Sequence, residues 1–398
     1  MMKDVFLVNY RRTAFTRAHP IKKDVDLFSD TRGDELLAEL INEQLTSNGL
    51  DGTDIDDLSV GCAFQVKEQW NFGGRYPLYL SNLGDQCATR GIEQQCGSGL
   101  AAIRSSVLNI ASGASDISMA GGYEHMSSVP MGPSLFNEGV LTVPDNCFSD
   151  NLGHSSGHNI NTVMNMGLTA ELLAEQSGIS REEMDRFAKR SQQQTLEANS
   201  EGFFSHEILP LANKSGIMVS TDSCPRPETT EEKLSQLNSV FKNNGQITAG
   251  NSSPLTTGAA LSVLMSEEAL QKTGLEPKAR IISCADRGVN PELMGKGVVP
   301  AVNKALAMAG LTADQIDVWE INEAFSIVPL YAMQMLNIPA EKVNIKGGAL
   351  ALGHPLGATG VRLVGTLSRI LEIENKQFGC AAACIGGGQG IAMIIERI

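Results

Sequence analysis

Three features of this sequence predict an α/β fold built from two similar halves. Short apolar, strand-like runs alternate with amphipathic helical stretches, the pattern of mixed or parallel sheets with helices on their faces. A segment recurs: residues 49–56 read GLDGTDID and residues 310–317 read GLTADQID, each after an apolar helical face and before a short strand. The 398 residues, 42% hydrophobic and 19% charged, exclude disordered, collagen-like and coiled-coil classes and exceed what one core needs.

Taken in order, the chain starts with a strand at Val5–Val8. A helix with Leu36, Leu37, Leu40 and Ile41 on one face and a strand at Leu58–Val60 follow. Cys96-Gly-Ser-Gly99 then opens a helix whose face carries Leu100, Ile103, Val107 and Ile110 and which stops near Gly113. The strand Asp116–Ala120 ends in Gly121-Gly122. The second half repeats this plan. Val302, Ala305, Leu306 and Ala309 line a helix, and Ile316–Trp319 is a strand. His354-Pro-Leu-Gly-Ala-Thr-Gly360 opens a helix with Val361, Val364, Leu367 and Leu371 inward. The strand Phe378–Ala383 ends in Cys384-Ile-Gly-Gly-Gly388. Between the copies, residues 123–248 are polar, rich in Asn, Ser and Gln, with helical stretches at Ala170–Gln176 and Glu182–Gln194. That composition predicts a loop domain inserted over the core. Ala259–Met265 resumes the core pattern. The expected division is 1–270, carrying the insertion, and 271–398.

With 31 basic and 45 acidic residues, the formal charge is −14, which argues against nucleic acid or an anionic membrane as the main partner. No apolar run reaches the roughly 18–20 residues of a membrane span. Residues 1–12 read as strand rather than signal-peptide core, and Glu396-Arg397-Ile398 is no peroxisomal or prenylation tail. Eight cysteines without a CxxC pair predict free thiols in a reducing cytoplasm.

Four polar groups fall at predicted C-terminal ends of strands, where α/β folds place their sites. Cys96 begins a helix, where the dipole and backbone N–H groups are expected to lower its pKa, although a packed small residue fits that position too. His354, ringed by glycines, is its counterpart in the second copy. It reads either as a base paired with that thiol or as an incidental His in a phosphate-type glycine loop. Cys384 precedes three glycines whose unobstructed N–H groups could form an oxyanion hole. With Cys380 it lacks the further ligands a metal needs. Asn322-Glu323 is either a site pair or a helix cap. Of the other histidines, only His154 and His158 sit close in sequence, in a polar loop expected to be exposed. The residues alone thus reach thiol-based group transfer at the junction of two halves.

Together, Cys96-Gly-Ser98, Asn322-Glu-Ala-Phe325, Gly347–Gly357 (GGALALGHPLG) and Cys384–Gly390 (CIGGGQG) resemble the signatures of the thiolase family, in order over nearly the whole chain. Residues 121–126, 166–171 and 248–253 add further matches. The resemblance implies the thiolase-like fold of two fused βα repeats in a layered core with a loop domain inserted in the first. It implies ping-pong acyl transfer that cleaves 3-ketoacyl-CoA with CoA. Cys96 would be the acylated nucleophile, His354 its base and an oxyanion donor, and Cys384 the acid/base. Asn322 would hold a water of one oxyanion hole, while the backbone N–H groups of Cys96 and Gly386 form the other. For CoA, it implies Arg226 near the adenine, Ala249, Gly250 and Ser253 along the pantetheine, and Met166 and Phe325 at the acyl group. No metal or cofactor is implied, CoA being a substrate. The expected partners are a second copy or three, with a hydratase/dehydrogenase of β-oxidation as a further candidate. Thr257, Val298 and Asn165 depart from the common family pattern, the last weakening an acetoacetyl-only assignment. Glu124–Met131 and Arg226–Thr230 resemble degradative 3-ketoacyl-CoA thiolases more than the biosynthetic acetyl-CoA C-acetyltransferases that condense two acetyl-CoA. A CoA-binding relative without activity is the third reading, opposed by the presence of all four polar signatures.

Overall fold

The computed structural model describes residues 3–129 and 158–398. Part of the expected insertion, 130–157 with His154, lies outside the described residues. The strands are β1 (Val5–Arg12), β2 (Thr16–Arg17), β3 (Asp57–Gly61), β4 (Ala88–Ile92), β5 (Ile117–His125), β6 (Leu211–Ala212), β7 (Met218–Val219), β8 (Thr256–Ser266), β9 (Ala279–Gly288), β10 (Val318–Ile321), β11 (Phe378–Ile385) and β12 (Gln389–Arg397). Helices α1 (Gly33–Asn48), α2 (Arg75–Tyr79), α3 (Ser98–Ser112), α4 (Ile160–Val163), α5 (Met166–Ser177) and α6 (Arg181–Ser200) precede α7 (Glu231–Ser235), α8 (Glu267–Thr273), α9 (Val298–Ala309), α10 (Ile327–Leu336), α11 (Ala349–Leu352) and α12 (Leu356–Ile373).

One sheet runs β10-β11-β12-β9-β1-β8-β5-β3-β4, with β2 paired to β8. Read outward from its middle, the order repeats. On one side β1-β8-β5-β3 pair antiparallel, antiparallel and parallel; on the other, β9-β12-β11-β10 pair in the same senses. The halves join where β1 meets β9 over two residue pairs, Phe6 with Arg280 and Leu7 with Ala279. The recurring Gly-Leu of the two repeats has a backbone cause. Gly49 and Gly310 close α1 and α9 in the left-handed region, at φ 63° and 67°, where glycine ends a helix without a Cβ penalty.

Helix α12 holds the halves together. From Leu356 to Leu371 every residue except Arg369 is buried, because it packs on α3 and on strands of both halves rather than lying on a surface. One expectation changes here. Gly121-Gly122 do not end a strand but lie inside β5, opposite Leu261 and Ala260 of β8. Glycine is required for closeness: a Cβ on Gly122 would stand 2.0 Å from the Gly357 carbonyl oxygen beside the start of α12. Between β5 and β8, α6 begins with a reciprocal cap. Glu183 N donates to Ser180 Oγ at 3.2 Å, and Ser180 N donates to Glu183 Oε2 at 2.8 Å.

Candidate active site

Cys96 lies in a single 3₁₀ turn, Gln95–Gly97, between β4 and α3. Gln95 holds φ at 46°, a left-handed conformation that costs a side-chain-bearing residue about 1–3 kcal/mol. Surrounding bonds fix that turn. Gln95 N and Nε2 both donate to Glu93 Oε1 at 2.9 Å; Gln94 N donates to Ser98 Oγ at 2.9 Å, whose hydroxyl donates to Gln95 O at 2.7 Å. The thiol is buried, 8% exposed, and is met by the backbone N–H groups of Gly386 and of Cys96 itself. Here the structure corrects the expected lowered pKa. Burial dominates and pushes the thiol up to about 11; the Gly386 N–H pulls it back, and the Glu124 carboxylate adds to the rise. A helix start lowers a thiol's pKa only while burial does not outweigh it.

Cys384, fully buried on β11 opposite Gly390 of β12, is pushed well above the ordinary range by burial and then by the Cys96 thiol. The two sulfurs, 288 positions apart in sequence, therefore share one dry site. After Ile385 the strand leaves through Gly386, Gly387 and Gly388, the last two at φ 80° and 83°. A Cβ on Gly386 would lie 3.1 Å from Met166 Sδ and 3.7 Å from Gln95 Cγ, so this loop also brings Met166 to the thiol.

His354 stands two residues before α12, as Cys96 stands two before α3, and the starts of those helices touch. A Cβ on Gly99 would meet Gly357 O at 2.6 Å and Gly360 N at 3.0 Å. No hydrogen bond joins the Cys96 thiol to the imidazole among the described residues; packing of the two turns brings them near. His354 is 4% exposed and held at three atoms, two of them in the ring. Its backbone N–H donates to Thr256 Oγ1 at 3.0 Å, Nδ1 lies 2.6 Å from Thr359 Oγ1, and Nε2 lies 3.1 Å from Asn322 Nδ2. Thr359 spends its hydroxyl hydrogen on Pro355 O at 2.9 Å, so Nδ1–H donates to Thr359 and Nε2 keeps its lone pair. That network assigns the tautomer a base requires. Burial, then the charge of Arg362, pushes the imidazole down to about 3, so it is neutral at pH 7.

Asn322 follows β10, with its N–H donating to Ala382 O at 2.8 Å, which extends the parallel pairing with β11. Its Oδ1 is buried and without a partner among the described residues. Glu323 does not cap the helix that follows it, α10, whose N-cap is Ser326; it reaches instead to the first turn of α11. It is buried and accepts from Ser191 Oγ at 2.6 Å, Asn344 Nδ2 at 2.7 Å and Leu350 N at 3.1 Å. No group of three His, Cys, Asp or Glu residues suited to a metal occurs among the described residues.

Of the residues expected to bind substrate, Phe325 is buried edge-on to Phe241 with ring centroids 6.1 Å apart, and Ser252 bridges to it. Ser253 N donates to Ala324 O at 3.0 Å. Gly250 packs against Leu234 and Leu237, and Ala249 is exposed beside it. Arg226 stands apart from the buried set, exposed and beside the like-charged Arg17. Asn165, one of the departures, caps α5 by accepting from Gly167 N at 3.1 Å and Leu168 N at 3.3 Å. Thr257 donates to Asp26 Oδ2 at 2.7 Å. Sequence reasoning missed Thr359, Thr256 and Glu124. Thr359 left a signal, a hydroxyl five residues after the histidine in its own turn, and Glu124 lies in the matching stretch 121–126, which points to no role for it.

Models of the thiolase N-terminal and C-terminal domains match residues 5–268 and 275–397. A 3-ketoacyl-CoA thiolase of Marinobacter nauticus is 40% identical over 405 residues, covering 100% of this chain and 99% of that protein. One from Idiomarina loihiensis is 39% identical over 407 residues, covering all of both. Among solved structures, human mitochondrial 3-ketoacyl-CoA thiolase in complex with CoA superposes with a TM-score of 0.87 at 32% identity, covering 100% of this chain and 98% of that one. An acetyl-CoA acetyltransferase of Bacillus anthracis gives the same score and identity, covering 100% and 99%.

Proposed function

The chain belongs to the thiolase family, and from that premise we propose that it is a degradative thiolase, cleaving 3-ketoacyl-CoA with CoA into acetyl-CoA and an acyl-CoA shortened by two carbons. The observation that carries this reading is the shared dry site: a buried thiol met by two backbone N–H groups, a second thiol beside it, and a neutral imidazole with Nε2 unprotonated.

With thiol and imidazole both neutral, proton transfer from Cys96 to His354 Nε2 is coupled to attack of the sulfur on the keto carbon. The resulting alkoxide is held by N–H donors, each worth about 3 kcal/mol of barrier. As it collapses, the carbon–carbon bond breaks, its electron pair leaves on the acetyl-CoA carbon, and the Cys384 thiol gives that carbon a proton. The thioester enolate is held by the His354 ring and a water on Asn322, whose Oδ1 is free to accept. CoA then gives its thiol proton to the Cys384 thiolate and its sulfur attacks the acyl carbon; the intermediate collapses with the Cys96 sulfur leaving, and that sulfur takes back the proton held on His354 Nε2. Met166 beside Gly386, and Phe325, border the acyl end; Ala249, Gly250 and Ser253 follow the pantetheine, and Arg226 the adenine. No metal or further cofactor enters these steps.

The biosynthetic direction uses the same groups. The curated relatives favour degradation, while solved structures of both kinds superpose equally well. Two measurements test the proposal. Incubation with acyl-CoA is expected to leave an acyl adduct on the Cys96 peptide by mass spectrometry. Thiolysis across acyl lengths is expected to continue beyond four carbons; collapse there would favour the acetyl-CoA C-acetyltransferase reading. We further take the chain as two halves, 1–270 and 271–398, acting in the cytoplasm as a homodimer or homotetramer, with a hydratase/dehydrogenase as a candidate partner. No helix among the described residues is long and apolar enough to cross a membrane. The seven described cysteines are free, and Trp70, Phe72, Tyr79 and Leu80 are exposed near the edge strand β4, which supports self-association.

A further inference from the structure

Glu124, the penultimate residue of β5, is fully buried; it lies in a stretch that resembles the family, yet no role is given to it there and the proposed steps do not use it. Its carboxylate collects donors from both halves. Oε2 accepts from Ala63 N at 2.9 Å and from Gly357 N at 3.0 Å; Oε1 accepts from Phe64 N at 3.1 Å and Gln69 Nε2 at 2.6 Å. Cys62 Sγ donates weakly to Oε1 at 3.7 Å. Ala63 and Phe64 leave β3 of the first half, whereas Gly357 closes the His354-Pro-Leu-Gly turn of the second. Gln69 is fixed in turn, its Oε1 accepting from His125 N. No lysine or arginine is among the partners: four N–H donors and the weak Cys62 thiol satisfy this buried acid among the described residues.

We propose that Glu124 is a positioning residue for the reaction of Cys96: one buried carboxylate clamps the turn that presents His354 onto the thiol-bearing half and places a fixed negative charge beside that thiol. This rests on the proposed thiolase reading. A core hydrogen bond between loops needs no charge and could serve anywhere in the fold. Glu124 instead ties down the backbone three residues after the base and lies near enough to Cys96 to act on its thiol. Burial pushes the Glu124 carboxyl up, and the bonds from Ala63, Gln69, Phe64 and Gly357 oppose that rise; as the carboxylate it holds the sulfur protonated until the base takes the proton in the attack itself. The titratable groups that sense Glu124 are Cys62, Tyr123 and Cys96. Glu93 acts on Cys62, Asp34 on Tyr123, and Cys384 faces Cys96 from β11.

Two substitutions in the full-length enzyme separate the clamp from the charge. Glu124→Asp keeps the charge but shortens the reach to Gly357; Glu124→Gln removes the charge and also turns one accepting oxygen into an NH2 facing N–H donors, so the Asp variant reads the clamp and the alkylation profile of the Gln variant reads the charge. Each is read by kcat and KM for a 3-ketoacyl-CoA and by the pH profile of iodoacetamide alkylation of the Cys96 peptide. For the Asp variant, kcat is expected to fall about ten- to hundredfold with KM nearly unchanged and the alkylation profile unmoved. For the Gln variant, the alkylation midpoint is expected to move to lower pH. A folded Asp variant with wild-type kcat, or a Gln variant with the wild-type profile, overturns the inference. Should the Gln variant fail to fold, the Asp variant decides alone. Absence of an acyl-Cys96 adduct in the wild type would instead sink the thiolase reading, since the alkylation shift does not depend on acyl transfer.

Discussion

Thr359→Val tests whether the histidine tautomer matters to the reaction. Valine nearly matches threonine in shape, so the substitution removes little more than a hydroxyl. That hydroxyl accepts Nδ1–H of His354 at 2.6 Å, in a site where Thr359 and His354 are 1% and 4% exposed. Without it, a buried ring N–H has no acceptor, which costs about 1–3 kcal/mol of folding stability. The ring can recover part of that loss by moving its proton to Nε2 and donating to Asn322 Oδ1 after an amide rotation. Either outcome takes the lone pair away from the sulfur or loosens the ring. A transition-state loss of about 1.4–2.7 kcal/mol then lowers kcat/KM by about ten- to hundredfold. Urea unfolding followed by circular dichroism reads the first quantity, and steady-state thiolysis of a 3-ketoacyl-CoA reads the second. If the variant is folded and retains kcat/KM within about twofold of wild type, the tautomer assignment has no catalytic weight.

Three further outcomes follow from the same geometry. Cys384→Ser is expected to leave acylation of Cys96 by acetyl-CoA intact while lowering thiolysis on the order of 10²–10⁴-fold, because a hydroxyl is a poor acid for the departing carbanion; mass spectrometry and rate assays read the two separately. Because the folded imidazole of His354 is pushed down to about 3 from an ordinary 6.5, its neutral form stabilises the fold at neutral pH, and that contribution is lost as pH falls from 6.5 towards 3. Urea midpoints should accordingly drop on acidification, less so in His354→Asn, and kcat/KM should show no acid limb near 6.5 that belongs to this residue. Arg362→Met removes the partner 2.6 Å from Glu320, both being buried; burial raises Glu320 to about 8 even beside the arginine, so the acid takes a proton and the loss is that of a buried hydrogen bond, about 1–3 kcal/mol, read by denaturant unfolding.

Much of this site can be read from residue order, for a physical reason. Helix caps, glycine turns and apolar faces are local, so the positions of Cys96, His354, Asn322 and Cys384 at element ends follow from short stretches of chain. Long-range placement is not local. Glu124 has no sequence neighbour that announces its bond to Gly357, 233 positions away. The same limit explains the Cys96 pKa, since its helix-start position is visible in sequence but the burial that outweighs it is assembled from distant segments. Gly121-Gly122 is a similar case: in a glycine pair that resembles a strand end, Gly122 is a seat for the Gly357 carbonyl of the other half, and Gly121 makes room for Leu37 and Leu261.

The repeat explains why the chemistry lies where it does. Cys96 and His354 occupy the same place in their respective copies, two residues before helices α3 and α12. Because those helices pack start to start, equivalent turns must face each other, and whatever residues occupy them become neighbours. Two identical turns would offer two thiols or two imidazoles, neither of which is a nucleophile with its base. Divergence at this one pair of positions supplies the thiol and the imidazole that the proposed steps use. The remaining groups need no such pairing: Asn322 and Cys384 come from the ends of β10 and β11, adjacent parallel strands whose chain ends lie side by side. Acyl transfer at this site is therefore a property of the junction, and a variant that separates α3 from α12 without unfolding either half should lose it.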